Sequence, residues 1–162
     1  MPDMLVKLLE LPPIEPIIAQ QKEQGVIIRR GMPPEKHFVI DWIRQNFSMY
    51  WVSEAEKAYT LAPATIYIAI ENRKVVGFAC YDTTYKGFFG PTGVDESVRG
   101  RGIGGALLIA TLHGLLQSGY AYGIIGGAGP VDFYRKVIGA TVIEGTEHPG
   151  SYRGMLGLDY DE

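Results

Sequence analysis

The sequence predicts an α/β (α+β) fold: a mixed, mostly antiparallel central sheet with helices on both faces. Three observations carry this. Between Thr65 and Val94, three β-branched or aromatic runs are separated by short polar turns, the pattern of an antiparallel meander. From Val94 the chain leaves an apolar strand, passes glycines at 100, 102, 104 and 105, and enters a leucine-rich helix. Tyr122 to Gly126 is then a strand that a helix connects to its predecessor, which makes the two parallel.

In order, residues 1–24 read as an arm. Prolines at 12, 13 and 16 interrupt regular structure, and Leu5, Leu8, Leu9 and Leu11 need cover from the domain or from a neighbouring subunit. A homodimer through this arm is an expectation, and 25–162 form the domain proper. Gly25 to Arg30 is β-branched and predicts a strand. Pro33-Pro34 opens a helix, with Val39, Ile43 and Phe47 at helical spacing. Ser53 and Glu56 form a capping-box pattern that starts a second helix, ending before Pro63. Strands follow at Thr65 to Ile70, Val75 to Thr83 and Phe88 to Val94. Gly90-Pro91 interrupts the last of these, and proline cannot donate to a ladder, so a bulge or kink is expected there. The helix after the glycines places Leu108, Leu112 and Leu115 on one face and ends at Gly119. Val131 to Val137 predicts a short helix closed by Gly139. Ala140 to Glu144 and Tyr152 to Leu158 are expected as closing strands.

Composition excludes several function classes. A chain of 162 residues suits one domain with its own core, and 46% hydrophobic with 20% charged residues is ordinary for a folded protein. A net charge of −3 leaves no electrostatic footprint for nucleic acid or an anionic membrane. Cys80 is the single cysteine, so no internal disulfide forms and a reducing cytoplasm is expected. No signal-peptide pattern or apolar run of membrane-spanning length is seen. His37, His113 and His148 lack ligand spacing, so no metal is expected. Cys80 sits among apolar neighbours and reads as a buried thiol rather than a nucleophile.

The segment Val94 to Leu108 carries the chemistry. Glycine lets the backbone take positive φ and approach a ligand closely. The first amides of the following helix have no partner within it and lie at its positive end, an arrangement that binds phosphate. Arg99 and Arg101 add charge and guanidinium forks suited to phosphate oxygens. Gly100-x-Gly102-x-x-Gly105 also matches a dinucleotide pattern literally. That pattern needs an acidic residue about 20 positions on, and no Asp or Glu lies between Glu96 and Asp132. A P-loop is excluded because Gly-Lys-Ser/Thr is absent.

Arg99-Gly-x-Gly-Ile-Gly after an apolar strand and before a leucine-rich helix resembles the acyl-CoA site of the GNAT superfamily of N-acyltransferases. The family signature falls on Arg99, Gly102 and Gly104. The resemblance implies that amides from Gly100 through Arg101, Gly102, Ile103 and Gly104 to Gly105 hold the coenzyme A pyrophosphate. It also implies that Gly93 and Val94 pair with the pantetheine arm, and that the strand carrying the bulge splays from its neighbour to admit it. Phe133-Tyr134-Arg135-Lys136 resembles the family segment whose tyrosine donates to the coenzyme sulfur, which makes Tyr134 the candidate general acid. Gly127 and Pro130 stand where that segment often has Asn and Ala, and Gly139 comes one residue late.

The implied activity is transfer of an acetyl group from acetyl-CoA to a small primary amine, in a ternary complex without an acyl-enzyme. Asp82 is the candidate general base, with Glu71 behind it, and the oxyanion donor is a backbone amide of the strand before Val94. Tyr59, Tyr67, Tyr81 and Tyr85 either line an acceptor pocket or pack in the core. A non-catalytic acyl-CoA-binding module of the same fold is the rival reading.

Overall fold

The computed structural model describes residues 1–147 and 150–158. Seven strands form one sheet: β1 (Met4–Lys7), β2 (Val26–Arg30), β3 (Ile66–Glu71), β4 (Lys74–Tyr81), β5 (Phe88–Val94), β6 (Tyr122–Ile125) and β7 (Thr141–Val142). Their order across the sheet is β2-β3-β4-β5-β6-β1-β7. Every pairing is antiparallel except β5 with β6, which is parallel as the helical crossover requires. The helices are α1 (Glu15–Glu23), α2 (Lys36–Asn46), α3 (Met49–Thr60), α4 (Ile103–Gln117) and α5 (Val131–Ile138).

Alternation along β4 divides the core. Ala79 and Tyr81 join the cluster built on α4, with Leu107, Leu108, Leu112, Leu115, Phe89 and Tyr134. Phe78 and Cys80 join the cluster of α2 and α3, with Val39, Ile43, Val52 and Ala55. Successive strand residues point to opposite faces, so α2 and α3 cover one face and α4 the other. Asn72 and Arg73 both have positive φ and make the two-residue turn joining β3 to β4.

Some expectations change. The first residues are not set apart as an arm: Met4–Lys7 is an interior strand between β6 and β7, with Met4 and Val6 fully buried. Leu8 is likewise fully buried, whereas Leu9 stays exposed. Pro16 begins α1 rather than breaking it, because the first helical turn has no use for its missing N–H. Helix α3 starts at Met49 with Ser48 at the N-cap, so Ser53 and Glu56 lie inside it and cap nothing. The closing strands shrink to Thr141–Val142, and 150–158 form a 3-10 turn and further turns rather than a strand. His148 and Pro149 lie outside the described residues. No helix among the described residues is long and apolar enough to cross a membrane.

Candidate active site

The interruption at Gly90-Pro91 has a visible consequence. Opposite it, the β4–β5 register shifts between Ala79 and Tyr81. Strand β5 pairs with β6 only at Phe88↔Ile124 and Phe89↔Ile125. Beyond Phe89 the two parallel strands are no longer paired, and the sheet opens into a fork. Thr92, Gly93 and Val94 keep β4 as neighbour on one side only. The free edge of β5 can accept an added extended chain.

At the far end of the fork stands the glycine cup. Gly102 takes the left-handed conformation (φ 78°, ψ 8°) as N-cap of α4, and no side chain caps the helix. The first intrahelical bond is Ala106 N–H to the Gly102 carbonyl at 3.0 Å. The amides of Ile103, Gly104 and Gly105 therefore have no acceptor within the helix. A Cβ added at Gly100 or Gly105 would meet no atom within 4 Å, and at Gly104 only Val94 at 3.7 Å. The cup is open around these glycines. Phe47, at the end of α2, packs so closely on Gly93 that a Cβ there would come within 2.4 Å of its ring. A cleft of about 530 Å³ opens beside them, between Phe47, Val94 and Arg99.

The two arginines of the motif part company. Arg99 is exposed, with a 3.3 Å bond from Nε to the Val94 carbonyl and a loose 3.8 Å pairing with Glu96 among the described residues. Arg101 is committed elsewhere. It donates to both Glu71 carboxylate oxygens, at 2.6 and 3.1 Å, and to the Gln24 carbonyl at 3.0 Å. Its own carbonyl accepts from Gln21 and Gln24 of the α1 region at 3.1 and 2.8 Å. Its guanidinium therefore does not reach into the cup, and its contribution there is main chain. The same pair engages Glu71, whose pKa the Arg101 hydrogen bond lowers. The α1 glutamines had no distinguishing signal in the sequence.

Tyr134 lies at the base of the fork. It is buried, and its ring meets Phe89, the last β5 residue paired with β6, edge to face at 6.3 Å. Its hydroxyl has no hydrogen-bond partner among the described residues, and burial raises its pKa. Phe133, next to Tyr134 in the chain, is 40% exposed. Asp82 sits just past β4 with φ 58°, and its Oδ1 accepts the Gly87 amide at 2.7 Å. That carboxylate closes the β4–β5 turn. Cys80 is fully buried, and burial first, then the Glu54 charge, pushes its thiol pKa well up. Tyr59 and Tyr81 are buried, Tyr67 packs under the Arg30 guanidinium, and Tyr85 is exposed. No group of three or more potential metal ligands occurs among the described residues.

A forked mixed sheet with a helix-capping glycine cup at the mouth of the fork defines the class of protein, and comparison with known proteins agrees. Residues 35–139 match the acetyltransferase (GNAT) family. The chain belongs to that family. No curated protein matches it significantly. Among solved structures it is similar to the GCN5-related glucosamine N-acetyltransferase region of a fungal multi-domain GH3 β-N-acetylglucosaminidase, with TM-score 0.70 and 19% identity over 88% of this chain and 19% of that one. It is also similar to a GCN5-related N-acetyltransferase from Sphaerobacter thermophilus, with TM-score 0.64 and 22% identity over 88% of this chain and 48% of that one. A GNAT family acetyltransferase from Brucella melitensis, solved with acetyl-CoA, aligns with TM-score 0.52 and 21% identity over 68% of this chain and 80% of that one. The chain thus spans less than half the length of the first two, and these likenesses establish the shared fold.

Proposed function

We propose that this protein transfers an acetyl group from acetyl-CoA to a small primary amine, directly and within a ternary complex. The observation that carries the reading is the open cup of unpartnered amides at Ile103, Gly104 and Gly105, set where β5 parts from β6. Those amides and Arg99 receive the pyrophosphate. The pantetheine arm lies along Gly93 and Val94 as an added strand, which brings its thioester toward the Gly90–Phe89 end of the fork. There Tyr134 meets the sulfur, and a β5 amide receives the oxyanion.

The chemistry follows from the protonation states. An alkylammonium of pKa about 10.4 must give up a proton near pH 7, at a cost of about 4 kcal/mol. The free amine forms the C–N bond, and the C–S pair then leaves on sulfur. Tyr134, kept neutral by burial, donates to the departing thiolate, and the proton shed by nitrogen on becoming an amide replaces it through solvent. A thiol titrates near 8.5 and an unperturbed phenol near 10, so the donation is a tightening hydrogen bond more than a full transfer. Direct transfer is supported by Cys80, the only thiol, which is buried and held protonated. The setting proposed is cytoplasmic, and the partner a small amine.

Calorimetry with acetyl-CoA, followed by thiol release against a panel of primary amines, tests the reading. Heat of binding and amine-dependent release are expected; no heat from folded protein would sink it. A non-catalytic acyl-CoA-binding module is favoured by one observation, the engagement of Asp82 and Glu71 in structural bonds. It predicts binding without release.

A further inference from the structure

We propose that Glu54 of α3 is the proton acceptor for the incoming amine, on the face of the sheet opposite Tyr134. This deepens the transferase reading above and rests on it.

Of the carboxylates on or beside the central strands three are spent, Asp95 among them because it accepts from the Ser97 amide and hydroxyl. Glu71 is held by Arg101, and Asp82 by the Gly87 amide. Glu54 differs. Its Oε1 accepts the Thr84 hydroxyl, and Oε2 has no partner among the described residues. The neighbouring Thr83 hydroxyl donates to the Gly90 carbonyl at 3.0 Å, which ties this loop to the point where β5 leaves β6. Glu54 is also near enough to Cys80 for its charge to raise the thiol pKa. Cys80 is the β4 residue opposite the Gly90-Pro91 interruption, and its side chain lies in the α2–α3 cluster. Glu54 therefore reaches the bulged level of the fork from the α3 side, whereas Tyr134 reaches it from the α4 side through Phe89.

Lys57, Cys80 and Thr84 interact with the Glu54 carboxylate. Lys57, one turn along α3, donates to the Thr83 carbonyl at 3.0 Å and draws the Glu54 pKa down. Cys80 from β4 is neutral, and Thr84 supplies one hydroxyl. Burial outweighs these and raises the Glu54 pKa, which makes it a stronger base than an exposed glutamate. In the step proposed, the ammonium N–H breaks and its proton moves to Oε2. The freed lone pair forms the C–N bond, and the C–S pair leaves on sulfur and takes the Tyr134 proton. The second proton shed by nitrogen returns to Tyr134 through solvent, and Glu54 later releases its own to solvent.

The test compares wild type, Glu54→Gln, Glu54→Asp and Asp82→Asn by thiol release with the best amine of the panel from pH 6 to 10, with acetyl-CoA affinity by calorimetry. Glu54→Gln should lower kcat at pH 7 about 100-fold or more, with affinity for acetyl-CoA within about twofold. The deficit should shrink as the pH approaches the pKa of the amine, because solvent then supplies the free base. Glu54→Asp should recover part of the rate. Glu54→Gln with wild-type kcat and pH profile overturns the proposal, as does Asp82→Asn showing that signature in its place. Wild-type protein that binds acetyl-CoA but releases thiol with no amine overturns the transferase reading, and the role of Glu54 falls with it. Wild-type protein giving no heat overturns the coenzyme site itself.

Discussion

Arg101 grips Glu71 through two parallel bonds of 2.6 and 3.1 Å between residues 30 apart in sequence. This division of labour leaves Arg99 as the arginine available to phosphate. Arg99→Ala should weaken acetyl-CoA binding about tenfold, the worth of one charge-assisted hydrogen bond, and flatten the dependence of affinity on salt. Arg101→Ala should act more on melting temperature than on affinity. Glu71 has a lowered pKa in the folded protein, so the stability it contributes is present above the ordinary glutamate range and is lost as pH falls through the lowered value. The melting deficit of Arg101→Ala should therefore close in acid. Calorimetry at two salt concentrations and melting at pH 7 and pH 3 check both halves.

The cup can be blocked without disturbing the fold. Gly105 lies in the first turn of α4 at ordinary helical geometry, and an added Cβ meets nothing. Gly105→Glu should keep the circular dichroism spectrum and even gain about 0.5 kcal/mol of helix propensity. It should nonetheless bind no measurable acetyl-CoA, because its carboxylate occupies the anion site. Gly102 is a poorer place for this test, since its positive φ and the Gln21 amide 3.2 Å from an added Cβ would confound folding with binding.

Tyr134→Phe removes one oxygen that has no other partner among the described residues. Turnover should fall about 10- to 100-fold, with acetyl-CoA affinity within about twofold and melting temperature unchanged. An equal loss of affinity and turnover would assign the hydroxyl to binding alone.

Glu54 has a stability signature separate from any activity. Its folded-state pKa is raised, chiefly by burial. The contribution is fully present below the ordinary glutamate value of about 4.3 and is lost as pH rises through the folded value. Glu54→Gln has no charge to bury. Relative to wild type, its melting temperature should rise between pH 4 and pH 8. A constant difference across that range would show that Glu54 ionises as freely folded as unfolded.

Local signals carried much of the architecture. The glycines before a leucine helix, the polar turns between β-branched runs and the Gly90-Pro91 interruption all act within a few residues, and each produced the backbone geometry expected of it. What escaped is non-local. Met4–Lys7 is too short to announce itself as a strand, and its partners at Tyr122–Ile125 and Thr141–Val142 lie more than 110 residues away. The fate of Arg101 depended on Glu71 and Gln24, which sequence spacing does not bring near. Glu54 resembled any solvated helix charge until α3 was laid against the Thr83–Thr84 loop. The run from Tyr152 to Leu158 has strand-like residues but finds no strand beside it.

The place of Met4–Lys7 between β6 and β7 also bears on synthesis. This strand has no partner in the sheet until residues 122–142 have been made. The sheet can only be completed late, and loop closure over such a span is slow. Until then the side chains of Met4, Val6 and Leu8, fully buried in the finished sheet, lack their cover.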